Sequence, residues 1–377
     1  MSKGNQADAR RRVAMILPAK ERFGPRGAGG VSLVVRDLAS HPPAGWVTTV
    51  LGGGTDGPPF SDCRFAALAA SRLLRLFGRN RAHARAAVRW LRNEPHDIIE
   101  AHNRAPLALH LARALAPCPV ILVLHNAAAA SGGLRRPAER VALLRHVRAV
   151  VCVSGFLRQG FLEGVPEELA HQVHALPNPH NPAAFPAPAS PRAPLILFVG
   201  RLNAEKGADS FVRSCALALP RLPGWRAAVV GDAWFGSRAD TPFVTRLRAE
   251  AGAAGVEMLG YQDHATTLAL MSEAAIVVMP NRWEEPFGRV AQEALAAGAA
   301  LIASRRGGLP EAAGEAALYV DPDSPEAIAV AIQHLAEHPA ERVNRAEAGR
   351  AHLAAFHLPD IARRWAALRA GVLGEGR

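Results

Sequence analysis

Two carboxylates eight residues apart, Glu285 and Glu293, bracket the most chemically suggestive segment of the chain, Asn281-Arg282-Trp283-Glu284-Glu285-Pro286-Phe287-Gly288-Arg289-Val290-Ala291-Gln292-Glu293. The apolar run Ile276–Met279 before it reads as a buried strand, and Pro286 suits the first helical position after it. A helix that starts just past a strand presents free N–H groups and the positive end of its dipole. Gly288 lets backbone approach a ligand closely. One carboxylate at the loop and one about two turns into the helix suit ligand hydroxyls rather than phosphate. The same residues also fit a capped helix with Glu293 facing solvent.

A second loop carries cations. The apolar run Leu195–Val199 leads into Gly200-Arg201-Leu202-Asn203-Ala204-Glu205-Lys206-Gly207, and an Arg and a Lys just past a strand end can neutralise a diphosphate. A surface turn with Glu205 pairing is the alternative. Nearer the start, Val13–Leu17 leads through Gly27-Ala28-Gly29-Gly30 into the helical pattern 31–39, a glycine-rich turn of the kind that cradles phosphate. It is not a G-x-G-x-x-G, and the next strand runs into Gly52-Gly53-Gly54 with no acidic residue, which argues against a nicotinamide dinucleotide. His102-Asn103 and His125-Asn126 each follow a strand-like run, so two His-Asn pairs stand at equivalent strand ends.

Short apolar runs alternate with helical patterns throughout, which predicts an α/β fold with parallel sheets. The first half offers strands at 13–17, 47–51, 97–100, 120–124 and 149–153. A proline-dense stretch from Pro177 to Pro194 sustains neither helix nor central strand and reads as a linker. The pattern then restarts at 195–199, 226–230, 256–259, 276–279 and 300–303. Two doubly wound, Rossmann-like domains are expected, 1–186 and 187–358, with ligands beyond the carboxyl ends of the strands and a central cleft between them. A terminal helix, 359–377 with Trp365, is expected to pack back across the linker.

Taken together, these segments resemble a family 4 (group 1) retaining glycosyltransferase of the GT-B fold. Glu285-Pro286-Phe287-Gly288 through Glu293-Ala294 matches the family's E-x7-E signature, and Gly200-Arg201-Leu202 with Glu205-Lys206-Gly207 matches its G-R-L-x-x-x-K-G loop. Gly307-Gly308-Leu309-Pro310-Glu311, Val230-Gly231-Asp232, Leu259-Gly260-Tyr261 and Gly29-Gly30-Val31 complete an ordered set, strongest from 195 to 335. The usual P-N-G-V is replaced by Pro177-Asn178-Pro179-His180, and an alanine run follows His125-Asn126.

The resemblance implies the following roles. Arg201 and Lys206, with the backbone at Gly30, hold the diphosphate of a UDP- or GDP-linked sugar. Glu293 takes the ribose diol, and Glu285 with the backbone at Phe287 and Gly288 takes hydroxyls of the donor sugar. Tyr261 and Gln262 lie beside the base, His125 lies near the anomeric carbon, and His102, Asn103 and Asn126 are acceptor candidates. The reaction implied is transfer of a hexosyl-type sugar to a saccharide or lipid-linked acceptor with retention, without a metal and without a further cofactor. Asp321-Pro322-Asp323 looks like the D-x-D of metal-dependent sugar transferases, but Asp323-Ser324-Pro325-Glu326 reads better as a helix start. A GT-B-type sugar-nucleotide epimerase or hydrolase, and a non-catalytic binding protein on this fold, are the rival readings.

Charge and composition narrow the partners. The 377 residues, 49% apolar and 20% charged, can bury a sizeable core. Net charge is +11, and it is uneven: 1–190 holds 24 Lys/Arg against 12 Asp/Glu, while 191–377 holds 20 against 21. Much of the excess is Arg72, Arg75, Arg79, Arg81, Arg85, Arg89 and Arg92, interleaved with Leu73, Leu74, Phe77, Ala84, Val88 and Leu91 and interrupted by Gly78. This pattern fits a helix on an anionic membrane surface and equally a solvated helix packed on its own domain. With aromatics at 6% and no recognition motif, nucleic acid is not expected. The four scattered cysteines and the short N-terminal apolar run after Arg10-Arg11-Arg12 argue against disulfides and secretion. A cytoplasmic enzyme is expected, peripheral on the inner face of the plasma membrane, acting in cell-envelope polysaccharide or lipopolysaccharide synthesis.

Overall fold

The computed structural model describes residues 10–69, 78–186, 189, 191–233 and 241–374. Arg72 and Arg75 of the basic stretch, with Leu73, Leu74 and Phe77, lie outside the described residues, as does Pro188 of the linker. The chain forms two compact units, 1–179 with 358–377 and 180–357. The first closes at Pro179, ahead of the expected 186.

In the first unit the strands are β1 (Arg11–Ile16), β2 (Trp46–Gly52), β3 (Arg64–Ala67), β4 (Ile98–His102), β5 (Val120–Leu124), β6 (Ala149–Cys152) and β7 (Val173–Ala175). They form one sheet in the order β3-β2-β1-β4-β5-β6-β7, every pair parallel. Parallel strands are covered on both faces, so they read as unbroken apolar runs; all of Val120–Leu124 is buried. The helices between them are α1 (Gly30–Ser40), α2 (Arg79–Asn93), α3 (Ala105–Ala114), α4 (Pro137–Leu144) and α5 (Gly155–Leu162). In α2, Ala84, Val88 and Leu91 are buried against the unit itself. The apolar side of the described part of the basic stretch is therefore occupied by protein, and Arg81, Arg85, Arg89 and Arg92 form an exposed row.

The second unit repeats the plan with β8 (Ala193–Val199), β9 (Arg226–Val230), β10 (Val256–Gly260), β11 (Ala274–Met279), β12 (Ala300–Ala303) and β13 (Leu318–Tyr319), ordered β10-β9-β8-β11-β12-β13 and all parallel. Its helices are α6 (Ala208–Ala218), α7 (Pro242–Ala253), α8 (His264–Glu273), α9 (Arg289–Ala296), α10 (Leu309–Ala313), α11 (Pro325–Glu337) and α12 (Pro339–Leu353). Its core is built on Ile196, Phe198, Phe211, Ile276 and Ile332. His180 and His357 are bridged side by side where the chain enters and leaves the unit.

The last helix, α13 (Leu358–Leu373), belongs to the first unit and places Ile361 and Trp365 in its core. Arg369 of this helix reaches Glu100 in β4, with Nε–Oε1 at 2.7 Å and Nη2–Oε2 at 3.1 Å, both side chains fully buried. No helix of the described residues is long and apolar enough to cross a membrane.

Candidate functional site

In a doubly wound sheet the crevice opens where the strand order reverses, because the loops on either side of that point diverge to opposite faces. In the second unit the reversal lies between β8 and β11, so the loops 200–207 and 280–288 flank it. Gly207 brings them together. Its φ is +72°, and a Cβ there would lie 2.0 Å from the carbonyl oxygen of Pro280, so only glycine permits this approach. The tight turn before it is capped by Asn203, whose Oδ1 accepts the Lys206 N–H at 3.0 Å.

That turn delivers Lys206 Nζ onto Glu285 Oε2 in a salt bridge, 5.0 Å from the centre of the Trp283 ring. The same oxygen accepts Asn281 Nδ2 at 2.6 Å and Trp283 Nε1 at 3.0 Å. Three donors thus fix one carboxylate at the mouth of the loop. The loop is braced from behind by Gly307-Gly308. A Cβ at Gly307 would stand 2.3 Å from the Glu285 carbonyl oxygen, and Gly308 N–H donates to that oxygen at 2.6 Å. Phe287 anchors the segment, its ring buried edge-to-face on Phe356 at 5.7 Å, so only its backbone is left to meet a ligand. Gly288 is the N-cap of α9.

Glu293 lies inside α9 and is buried, not solvent-facing. Its Oε1 accepts His264 Nε2 at 2.9 Å and Arg289 Nε at 2.9 Å. Burial pushes this carboxyl up, but the His264 hydrogen bond and the Arg289 charge outweigh it and hold it below the ordinary glutamate range. Tyr261 follows β10 and is exposed, while Gln262 Nε2 donates to the Leu259 carbonyl at 2.8 Å and stiffens the same turn. Arg201 is exposed just past β8 and makes no ion pair among the described residues.

Sequence reasoning missed three residues of this cluster. His264 and Arg289 orient Glu293. Arg282 ties the whole arrangement together: it grips Asp209 at 2.7 and 3.0 Å, Asp323 at 2.7 Å and the Ala204 carbonyl at 2.9 Å. Asp323 is therefore engaged by Arg282, the Asp321 carboxylate accepts the Asp323 N–H at 3.0 Å, and Ser324 caps α11. Among the described residues there is no group of three His, Cys, Asp or Glu that could hold a metal.

In the first unit, His102 and His125 end β4 and begin the loop after β5. His102 Nδ1 and His125 Nε2 are 3.0 Å apart, and the rings stack at 5.3 Å. His102 is fully buried, and its Nε2 has no hydrogen-bond partner among the described residues. Burial pushes His125 down to about 4, and His102 falls well below its usual value for the same reason, with the His125 and Arg369 charges adding to it. Both rings are neutral near pH 7. Because the unfolded histidine takes up its proton near 6.5 and the folded one near 4, this contribution to stability is complete above pH 6.5 and is lost as pH falls towards 4. The melting temperature is expected to fall over that window, and His125→Gln to flatten the slope.

Asn103 has φ +58°, and its Oδ1 accepts the His125 N–H at 3.3 Å. Asn126 is exposed beside it. Gly30 opens α1 with exposed backbone, next to Gly29, where a Cβ would lie 2.9 Å from the Glu21 carboxylate. Glu21, which also accepts Ser32 Oγ at 3.1 Å, has its carboxyl raised by burial.

Comparison with known proteins gives the family and the fold. The profile described as "Glycosyl transferases group 1" matches residues 183–352, and that described as "Glycosyltransferase Family 4" matches 28–184. Glycogen synthase of Mycobacterium tuberculosis is 31% identical over 277 residues, 68% of this chain and 64% of that protein, so the chain spans less than two thirds of that relative's length. In fold, sucrose-phosphate synthase from Thermosynechococcus elongatus superposes with a TM-score of 0.77 at 23% identity over 97% of this chain and 100% of that one. Anabaena HepE, solved in complex with UDP-glucose, gives 0.76 at 18% identity over 96% and 99%. With one matching profile on each unit and two parallel Rossmann-like sheets, the chain belongs to the group 1 glycosyltransferases of family 4 and has the GT-B fold.

Proposed function

We propose that this protein transfers a hexosyl-type sugar from a UDP- or GDP-linked donor to a saccharide or lipid-linked acceptor, with retention and without a metal. The observation that carries the reading is the Lys206–Glu285 pair, held by Asn281 and Trp283 at the switch point of the second sheet. Arg201 and Lys206 take the diphosphate. Glu285, with the backbone of Phe287 and Gly288, takes sugar hydroxyls, and the ribose diol binds at the carboxylate that His264 and Arg289 orient. Tyr261 and Gln262 flank the base, and the neutral His125 imidazole hydrogen-bonds the sugar. Negative charge that builds on the departing diphosphate is met by Arg201, Lys206 and the N-terminus of α9, which supply the counter-charge a metal would otherwise bring.

The experiment is product analysis by proton NMR, with UDP- and GDP-sugars incubated with and without candidate acceptors in EDTA. The expected result is acceptor-dependent release of the nucleoside diphosphate and a glycoside with the donor's anomeric coupling. An inverted product removes retention, and acceptor-independent turnover points to an epimerase or hydrolase.

A cell-envelope acceptor on the cytoplasmic face of the membrane is supported by the charge excess of 1–190 and by the exposed row Arg85, Arg89 and Arg92. With the apolar side of α2 already buried, this contact is one of charge alone, worth about 1 kcal/mol per arginine near an anionic surface. Co-sedimentation with anionic vesicles is expected at low salt and is expected to vanish in Arg89→Glu/Arg92→Glu; binding that persists in that variant removes the membrane from the reading.

A further inference from the structure

The first sheet has a switch point of its own, between β1 and β4. A cavity of about 570 Å³ opens at this point, lined by Ala19 after β1 and by Asn103 and Arg104 after β4. Two helices begin on its wall: Asn80 and Arg81 belong to the first turn of α2, and Ala105 and Pro106 to the first turn of α3. Neither helix has a side-chain cap, and neither carries an acidic residue in its first turn. The free N–H groups and positive dipole ends of a 15-residue and a 10-residue helix therefore meet at one cavity.

The side chains make the imbalance larger. Arg81, Arg85 and Arg104 all line the cavity, are exposed, and form no ion pair among the described residues. Glu21, whose carboxyl feels the Arg104 charge without an ion pair to it, is partly buried and bonded to Ser32. A cation in the first turn of a helix opposes the dipole, so Arg81 in α2 and Arg104 as the N-cap of α3 work against the empty fold. Local choices that disfavour the fold are expected where a ligand reverses their sign. An anion in the cavity would do so for both helices and all three guanidinium groups at once.

We propose that this cavity is a phosphate site, and that it holds a phosphate group carried by the acceptor. Three planar forks with two helix ends suit a tetrahedral dianion better than a single carboxylate, and the volume leaves room for an attached sugar or headgroup. The assignment to the acceptor rests on the transferase reading, in which the donor's diphosphate is taken by Arg201 and Lys206 of the second unit. The phosphate could be that of a soluble sugar phosphate or of a lipid headgroup.

The test titrates glucose 6-phosphate, inorganic phosphate and glucose into the full chain by calorimetry, with UDP and GDP both present in saturating amount to occupy the donor loops. Glucose 6-phosphate and phosphate are expected to bind, glucose is not, and Arg81→Gln/Arg104→Gln is expected to weaken binding at least tenfold while the affinity for UDP and GDP stays the same. Vesicles of phosphatidic acid in phosphatidylcholine, set against phosphatidylcholine alone, separate the sources: displacement of glucose 6-phosphate by the acidic vesicles assigns the site to a lipid phosphate, and its absence to a soluble one. Equal affinity for glucose and its phosphate, no binding of any phosphate probe, or full binding by the double variant overturns the proposal. Phosphate binding that needs Arg81 and Arg104 in a protein that binds neither UDP nor GDP would leave the site standing and remove the transferase reading.

Discussion

Lys206→Ala is expected to lower transfer by about 10²–10³-fold, on the order of 3 kcal/mol for one preorganised donor removed from a developing anion, without unfolding the protein. Lys206 stands on a turn held by the Asn203 cap and by the backbone contact of Gly207 with Pro280, neither of which involves its side chain. After the substitution Glu285 still accepts Asn281 and Trp283 at 2.6 and 3.0 Å, so the loop keeps two of its three ties. What disappears is the cation that is proposed to meet the diphosphate. Lys206→Arg is not a neutral control, because a planar five-donor guanidinium differs in size and hydrogen-bond geometry from the compact ammonium that meets Glu285. Transfer within a factor of a few of wild type in Lys206→Ala would take this residue out of the site.

The largest effect on stability is expected in the other unit. Arg369→Ala should destabilise the first unit by about 3–5 kcal/mol, because it leaves Glu100 as an unpaired charge in the interior of β4. The two side chains are 1% and 0% exposed, and the Arg369 guanidinium sits 5.2 Å from the Trp365 ring and 5.7 Å from that of Trp46. Replacing both charges, as Glu100→Leu/Arg369→Met, is expected to recover most of the loss, since a buried ion pair commonly costs about as much to desolvate as it returns. Urea unfolding of the two variants measures the difference. A single variant within about 1 kcal/mol of wild type would mean that the unpaired glutamate is relieved in another way. Glu100 lies two residues before His102 on the same strand.

Much of this molecule can be read from its sequence because parallel strands buried on both faces announce themselves as apolar runs. Val120–Leu124 and Arg226–Val230 appear in the structure with the limits expected. The strands that escaped, β3, β7 and β13, are all at sheet edges, short and partly exposed, so they carry too few apolar residues to stand out from a loop. The loops of the second unit were legible for a different reason: Gly207 and Gly307 each fill a position where any Cβ would strike backbone, so the spacing of the glycines encodes the packing of the loops.

Partnerships between distant segments were not legible. Nothing local links Arg282 to Asp209, His264 to Glu293, or Glu100 to Arg369, and a residue that looks like a surface charge in the sequence becomes a clasp only once the strands are laid side by side. His102 shows the same limit in reverse. Its type and position suggest contact with substrate, and nothing in its surroundings in sequence announces the full burial and the 3.0 Å contact with His125 Nε2 that the structure gives it. For α2, periodicity alone left open what its apolar side meets, and the burial of Ala84, Val88 and Leu91 shows that this side packs on its own unit.

Isothermal titration of UDP and GDP in EDTA, on the wild type and on Lys206→Ala and Glu293→Ala, tests the central claim most directly. The account predicts that one of the two nucleotides binds without added metal, that Lys206→Ala weakens it through the lost diphosphate contact, and that Glu293→Ala weakens it through the lost ribose contact. Failure of both nucleotides to bind the wild type, or unchanged binding in both variants, would contradict the assignment of the donor site to these loops.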